Sequence, residues 1–143
     1  MNRKDIKDKI YQTLQQRDSV LFAYLYGSFL TRENYRDIDI GVYFKDNTSL
    51  LEIGSLITDL QQVVKKEIDV IPLNNLYLRK PKMANEVMST GELILNKDTR
   101  THVSFKENSM KHYFDTAFLR KIMDAAFLNR MGGGGFGKRN VLI

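Results

Sequence analysis

The chain has 143 residues, 43% of them hydrophobic and 27% charged, enough apolar material for one domain with its own core. With no cysteine and only two histidines, a disulfide framework, a thiolate zinc site and a His-rich metal centre are excluded, and the composition suits a reducing cytoplasm. The net charge of +5 comes from basic residues scattered along the chain; it admits a nucleotide or another polyanion and is too dispersed to argue for nucleic acid as a direct ligand.

The first residues, MNRKDIKDKIYQ, are charged, so they do not read as a secretory signal, and no apolar run is long enough to cross a bilayer. Ile6, Ile10 and Leu14 recur at helical spacing, predicting an amphipathic helix from about Arg3 to Arg17. Val20 to Gly27 (VLFAYLYG) is a short apolar run and predicts a buried strand. A polar loop, SFLTRENYR, is expected next. Asp37 to Phe44 (DIDIGVYF) alternates strictly: Ile38, Ile40, Val42 and Phe44 share one face, and Asp37, Asp39, Gly41 and Tyr43 the other.

Ser49 followed by Glu52 has the form of a capping box and opens a helix running to about Lys66. Leu50, Ile53, Ile57, Leu60 and Val64 are its expected buried face. Glu67 to Leu73 predicts a third strand with Glu67, Asp69 and Ile71 on one face, and Pro72 places the end of that strand near an edge or a termination. After a basic loop at 79–82, Met83 to Ser89 predicts a short helix, ELILN a last strand, and Ser104 to Arg130 a long helix. In that helix Phe114, Phe118, Ile122, Ala125 or Ala126, and Leu128 are the candidate apolar positions. Gly132 to Lys138 matches G-x-x-x-x-G-K, but Arg139 stands where a phosphate loop needs Ser or Thr. The segment reads instead as a flexible tail.

The unusual feature is a pair of carboxylates, Asp37 and Asp39, on one face of a strand that is otherwise core. They repel each other, and each is costly near apolar surroundings. A cation between them answers both problems. Magnesium fits, because it takes carboxylate oxygens together with substrate phosphates. If the third strand pairs beside the second, Asp69 completes a triad on that face, as a metal ligand, a general base or both. Such a triad suits two-ion phosphoryl chemistry, with one ion activating a hydroxyl and the other neutralising phosphate charge. Gly27 lets backbone approach a phosphate, Ser28 adds a hydroxyl, and Arg32 is a further phosphate contact. Each feature also has a structural reading: a lone D-x-D is commonly an exposed edge, Asp69 a turn cap, and Arg32 a solvated loop charge. Tyr24 and Tyr26 read as packing residues, and His102 and His112 as surface residues.

Gly27-Ser28, a short gap, Asp37-x-Asp39 and a strand-borne Asp69 resemble the polymerase-beta-like nucleotidyltransferase superfamily. The nearest branch is the minimal nucleotidyltransferases (MNT), many of them antitoxins paired with HEPN toxins. The resemblance spans roughly residues 1 to 100 and includes MANEVMSTGELIL as the closing segment. It implies an α/β (α+β) fold, a small mixed sheet flanked by helices. Residues 1–100 form the minimal domain, 101–131 a helical extension and 132–143 the tail. It also implies Mg2+-dependent transfer of AMP from ATP to a hydroxyl, with Gly27 and Ser28 holding the triphosphate, and Asp37, Asp39 and Asp69 binding two metal ions. The implied partner is a HEPN toxin, a small helical protein modified on tyrosine. Two alternatives stay open: an antitoxin that neutralises by binding alone, and a nucleotidyltransferase acting on a small molecule of the aminoglycoside type.

Overall fold

The computed structural model describes residues 1–132, without the side chains of residues 116 and 130–132; the proposed tail and its glycine-rich match lie almost wholly beyond them. In chain order the elements are α1 (Arg3–Gln15), β1 (Val20–Tyr26), α2 (Ser28–Thr31), β2 (Asp37–Phe44), α3 (Leu50–Val64), β3 (Glu67–Pro72), α4 (Leu76–Arg79), α5 (Pro81–Thr90), β4 (Glu92–Asn96) and α6 (Thr99–Gly132). The strands form one four-stranded sheet in the order β3-β2-β1-β4. β1 runs antiparallel to β2 and β4, while β2 and β3 run parallel. The parallel pair follows from α3, since parallel neighbours need a long crossover. β3 lies at the edge and Pro72 ends it, so both readings of that proline are met.

Strand alternation sends side chains to two cores. On one face α1 and α3 contribute Ile6, Ile10, Leu14, Leu56, Leu60 and Val64, packed against Ala23, Leu25, Ile38, Ile40 and Ile68. On the other face α4, α5 and α6 bring Leu76, Ala84, Val87 and Phe105 over Phe22 and Tyr24. Arg17 ties the end of α1 to α3 by pairing with Glu52 at 2.9 Å and with Asp59. Among the described residues no helix is long and apolar enough to cross a membrane.

Several local expectations are corrected. The segment after Gly27 begins with a helical turn, α2, and the basic loop at 79–82 is the junction of α4 and α5. The stripe of α3 is rotated: Leu50 is exposed and Leu56 is buried. Ser49 caps through its hydroxyl to the Glu52 amide, but the Glu52 carboxylate turns to Arg17 and Ser19, so the capping box is half formed. His102 is buried, not superficial, with Nε2 2.5 Å from the Tyr24 hydroxyl. Burial, then nearby Lys106, lowers its pKa, favouring the neutral ring. In α6 the buried positions include His102, Phe105, Ser109 and, from the expected set, Ala125, whereas Phe114, Phe118 and Leu128 are exposed. The helical period locates a stripe but not the partner that covers it.

Gly41 lies on the face that carries the carboxylates, and a Cβ there would stand 2.7 Å from Leu73 Cδ2. The buried Leu73 fills the space over the strand. Gly41→Ala is therefore expected to destabilise the fold by about 1–3 kcal/mol, the range for overpacking. Thermal unfolding of Gly41→Ala, Leu73→Ala and the double variant Gly41→Ala/Leu73→Ala checks this. Truncating Leu73 should cost less when Gly41→Ala is already present than it does alone.

Candidate active site

β1 ends, and β2 and β3 begin, at one end of the sheet. Cross-strand pairing sets Tyr26 opposite Asp39, and Asp39 opposite Asp69. Asp37 pairs in the same way with Glu67. Because β2 and β3 are parallel and in register, all four carboxylates share one sheet face. The position of Asp69 beside the D-x-D strand, conditional in the sequence, is met.

Asp39 is the carboxylate of this face on which the surroundings press hardest. Burial, then the negative charges of Asp69 and Asp37, push its pKa above the ordinary carboxylate value. The ion pairs found among the described residues lie elsewhere, at Lys7–Glu92, Arg17–Glu52 and Arg17–Asp59. Among those residues no cation is paired with the carboxylate face. Tyr26 feels the same field: burial, then Asp39, Asp69 and Glu86, raise its phenol pKa.

Gly27 leaves β1 with φ 80° and ψ −156°, a region essentially reserved for glycine. A Cβ there would lie 2.5 Å from Asp39 Oδ2. The glycine therefore lets the chain turn and gives the carboxylate its place against the backbone. α2 starts at the next residue, and its first bonds are Leu30 N–H to the Gly27 carbonyl at 3.1 Å and Arg32 N–H to the Ser28 carbonyl at 2.9 Å. The amides of Ser28 and Phe29 precede these bonds, as the first amides of any helix do. The far end of this loop is clamped. Arg3 donates to the Arg32 carbonyl and lies over the Phe29 and Tyr35 rings, 5.2 and 5.1 Å from their centroids.

A cleft of about 400 Å³ opens here, lined by Gly27, Ser28, Leu30, Thr31, Arg32, Asp39, Glu86 and Thr90. It collects Gly27, Ser28, Arg32 and Asp39 from the sequence expectation. Asp37 and Asp69 are not among the lining residues and reach the cleft through their neighbour Asp39. Glu86 and Thr90, one helical turn apart on α5, were missed, because nothing in the local sequence says that α5 closes over β1. Glu67 had a legible signal, its alternation with Asp69, but no role was read from it.

Among the described residues no group of three His, Cys, Asp or Glu side chains stands close enough to hold a metal ion alone. The donor set still fits a hard divalent ion shared with phosphate oxygens, which needs only one or two carboxylates from the protein. The unneutralised pair Asp39 and Asp69, adjacent across the strands, supplies them.

The comparisons with known proteins bear on the family and the fold. The family described as "Polymerase beta, Nucleotidyltransferase" matches residues 8–100. "Putative protein adenylyltransferase MJ0435" of Methanocaldococcus jannaschii is 36% identical over 91 residues, covering 62% of this chain and 97% of that protein. Among solved structures, a chain of the tri-AMPylated Shewanella oneidensis HEPN toxin in complex with MNT antitoxin shares the fold. It has a TM-score of 0.66 and 20% identity, covering 88% of this chain and 99% of its own. A chain of a toxin–antitoxin structure with AMP-PNP gives 0.65 and 20%, covering 85% and 98%. A chain of the toxin–antitoxin MntA-HepT gives 0.62 and 18%, covering 85% and 97%. The glycine turn, the carboxylate face and the family match over residues 8–100 lead to one conclusion: the chain belongs to the polymerase beta nucleotidyltransferase family.

Proposed function

We propose that this protein transfers AMP from ATP to a hydroxyl, on tyrosine, of a partner HEPN protein, and thereby acts as an antitoxin. The observation that carries the reading is the register that sets Asp39 against Asp69 while Gly27 packs on Asp39. It makes one acidic, phosphate-accessible centre from three separate segments. Support comes from the relative named as a protein adenylyltransferase and from the fold shared with an MNT antitoxin bound to an AMPylated HEPN toxin.

In this reading Gly27 and the amides that follow it receive the triphosphate, Ser28 adds a hydroxyl donor, and Arg32 contributes charge from the cleft wall. Asp37, Asp39 and Asp69 hold Mg2+, which when bound offsets phosphate charge and acidifies the attacking hydroxyl. The tyrosine oxygen forms a bond to the α-phosphorus, the bond to pyrophosphate breaks, and the phenolic proton passes to the Asp69 carboxylate. Adenylylated tyrosine and pyrophosphate are the products.

The test is direct. The full chain, incubated with Mg2+, α-labelled ATP and a HEPN partner protein, should move label to that protein and release pyrophosphate. An HEPN protein that stays unlabelled while the chain is folded and binds ATP would sink the reading.

A further inference from the structure

α6 extends well past the domain it closes. Its 34 residues span about 50 Å at 1.5 Å per residue. Its first half packs on α4, α5 and the sheet: Phe105 lies 5.5 Å from the Phe22 ring of β1, and the His112 ring is tilted against Tyr77 of α4 at 5.0 Å. From residue 114 onward the side chains change character. Phe114, Phe118, Leu119, Met123, Phe127 and Leu128 are all large and apolar, and each is between 47% and 68% exposed. That density of exposed apolar side chains marks an interaction surface rather than ordinary solvated helix.

The pattern constrains the partner. Phe114 and Phe118 stand one turn apart on one stripe, and Leu119, Met123 and Phe127 follow at the same spacing on a second. At 100° per residue the centres of the two stripes stand roughly 160° apart, on nearly opposite sides of the helix, so one flat surface cannot cover both. A groove between two helices covers both. The reaction also needs such a contact, because a cleft of about 400 Å³ accommodates a nucleotide and not a protein. The acceptor must be held elsewhere for its hydroxyl to be positioned. The chains matched in toxin complexes cover 85–88% of this chain. Residues 1–113 make up only about four-fifths of its 143. The match therefore reaches into the exposed half of α6.

We infer that residues 114–128 of α6 are the docking helix for the helical HEPN partner, inserted between two of its helices. This rests on the function proposed above and adds to it the surface that selects the acceptor.

The double variant Phe118→Ser/Met123→Ser tests it, with the full chain, because both positions are exposed and neither holds the fold. Affinity for the HEPN protein, measured by calorimetry, should fall about 100-fold or more, as loss of central apolar anchors does. KM for the HEPN protein should rise while kcat is kept, and the thermal midpoint of the isolated chain should not move. Unchanged affinity would overturn the inference. So would a wild-type dimer in sedimentation that the variant splits while HEPN affinity is intact, which would give the stripes to a second copy. If the wild-type chain binds HEPN through these residues but transfers no AMP, the docking surface stands and the enzymatic reading falls.

Discussion

Asp39→Asn should reduce AMP transfer by about 10³-fold or more, and should raise the thermal midpoint of the nucleotide-free chain. The first effect follows from charge. Asparagine keeps the shape of the side chain and removes the charge of the β2 carboxylate that lines the cleft, and several kcal/mol of lost transition-state stabilisation corresponds to that factor. The second follows from the cost of the site. Burial and the fields of Asp69 and Asp37 raise the pKa of Asp39, so the folded chain binds this proton more tightly than the unfolded one. Its stability contribution is fully present below the unfolded value near 4 and is lost as pH rises through the higher folded value. The gain in midpoint from Asp39→Asn should therefore be largest at neutral pH and vanish in acid. Melting curves from about pH 4 to about pH 8, spanning that titration, check the sign, and a midpoint lower than wild type at neutral pH would contradict it. The same raised pKa makes protons compete with metal, so transfer should decline in acid earlier than an ordinary carboxylate would predict.

Gly27→Ala should cost both stability and activity. The backbone at φ 80° and ψ −156° lies where a side chain costs of order 1–3 kcal/mol. The new Cβ would also stand 2.5 Å from Asp39 Oδ2. Either the turn opens or the carboxylate moves. A misplacement of about 1 Å at a reacting centre can cost about 10²-fold. Denaturant unfolding should show the loss, and transfer assayed well below the midpoint should show the drop in kcat. A double variant Gly27→Ala/Asp39→Asn should lose less stability at neutral pH than Gly27→Ala alone, because the amide keeps the clash with the new Cβ but removes the repulsion from Asp69 and Asp37.

Both predictions turn on residues that were partly legible beforehand. Asp37 and Asp39 could be read because period-2 alternation puts both on one face, and carboxylates there contradict a purely structural strand. Gly27 was legible as a turn, but its fit against Asp39 was not, since that contact joins β1 to β2. Glu86 and Thr90 were silent: α5 shows an ordinary amphipathic pattern, and only its packing over β1 brings them to the cleft. His102 failed for the same reason. A lone histidine reads as surface until Tyr24, from a distant strand, is placed against it.

Local pattern was enough for the strands and most helices, for the acidic face of β2 and for the end of β3 at Pro72, because these depend on side-chain period and on a proline without an amide hydrogen. Long-range packing settled the rest: that Asp69 stands beside Asp39, that α5 walls the cleft, and that the large apolar side chains from Phe114 to Leu128 are left exposed. Those facts depend on which surfaces meet, and the period of a single element shows which face is apolar but not what covers it.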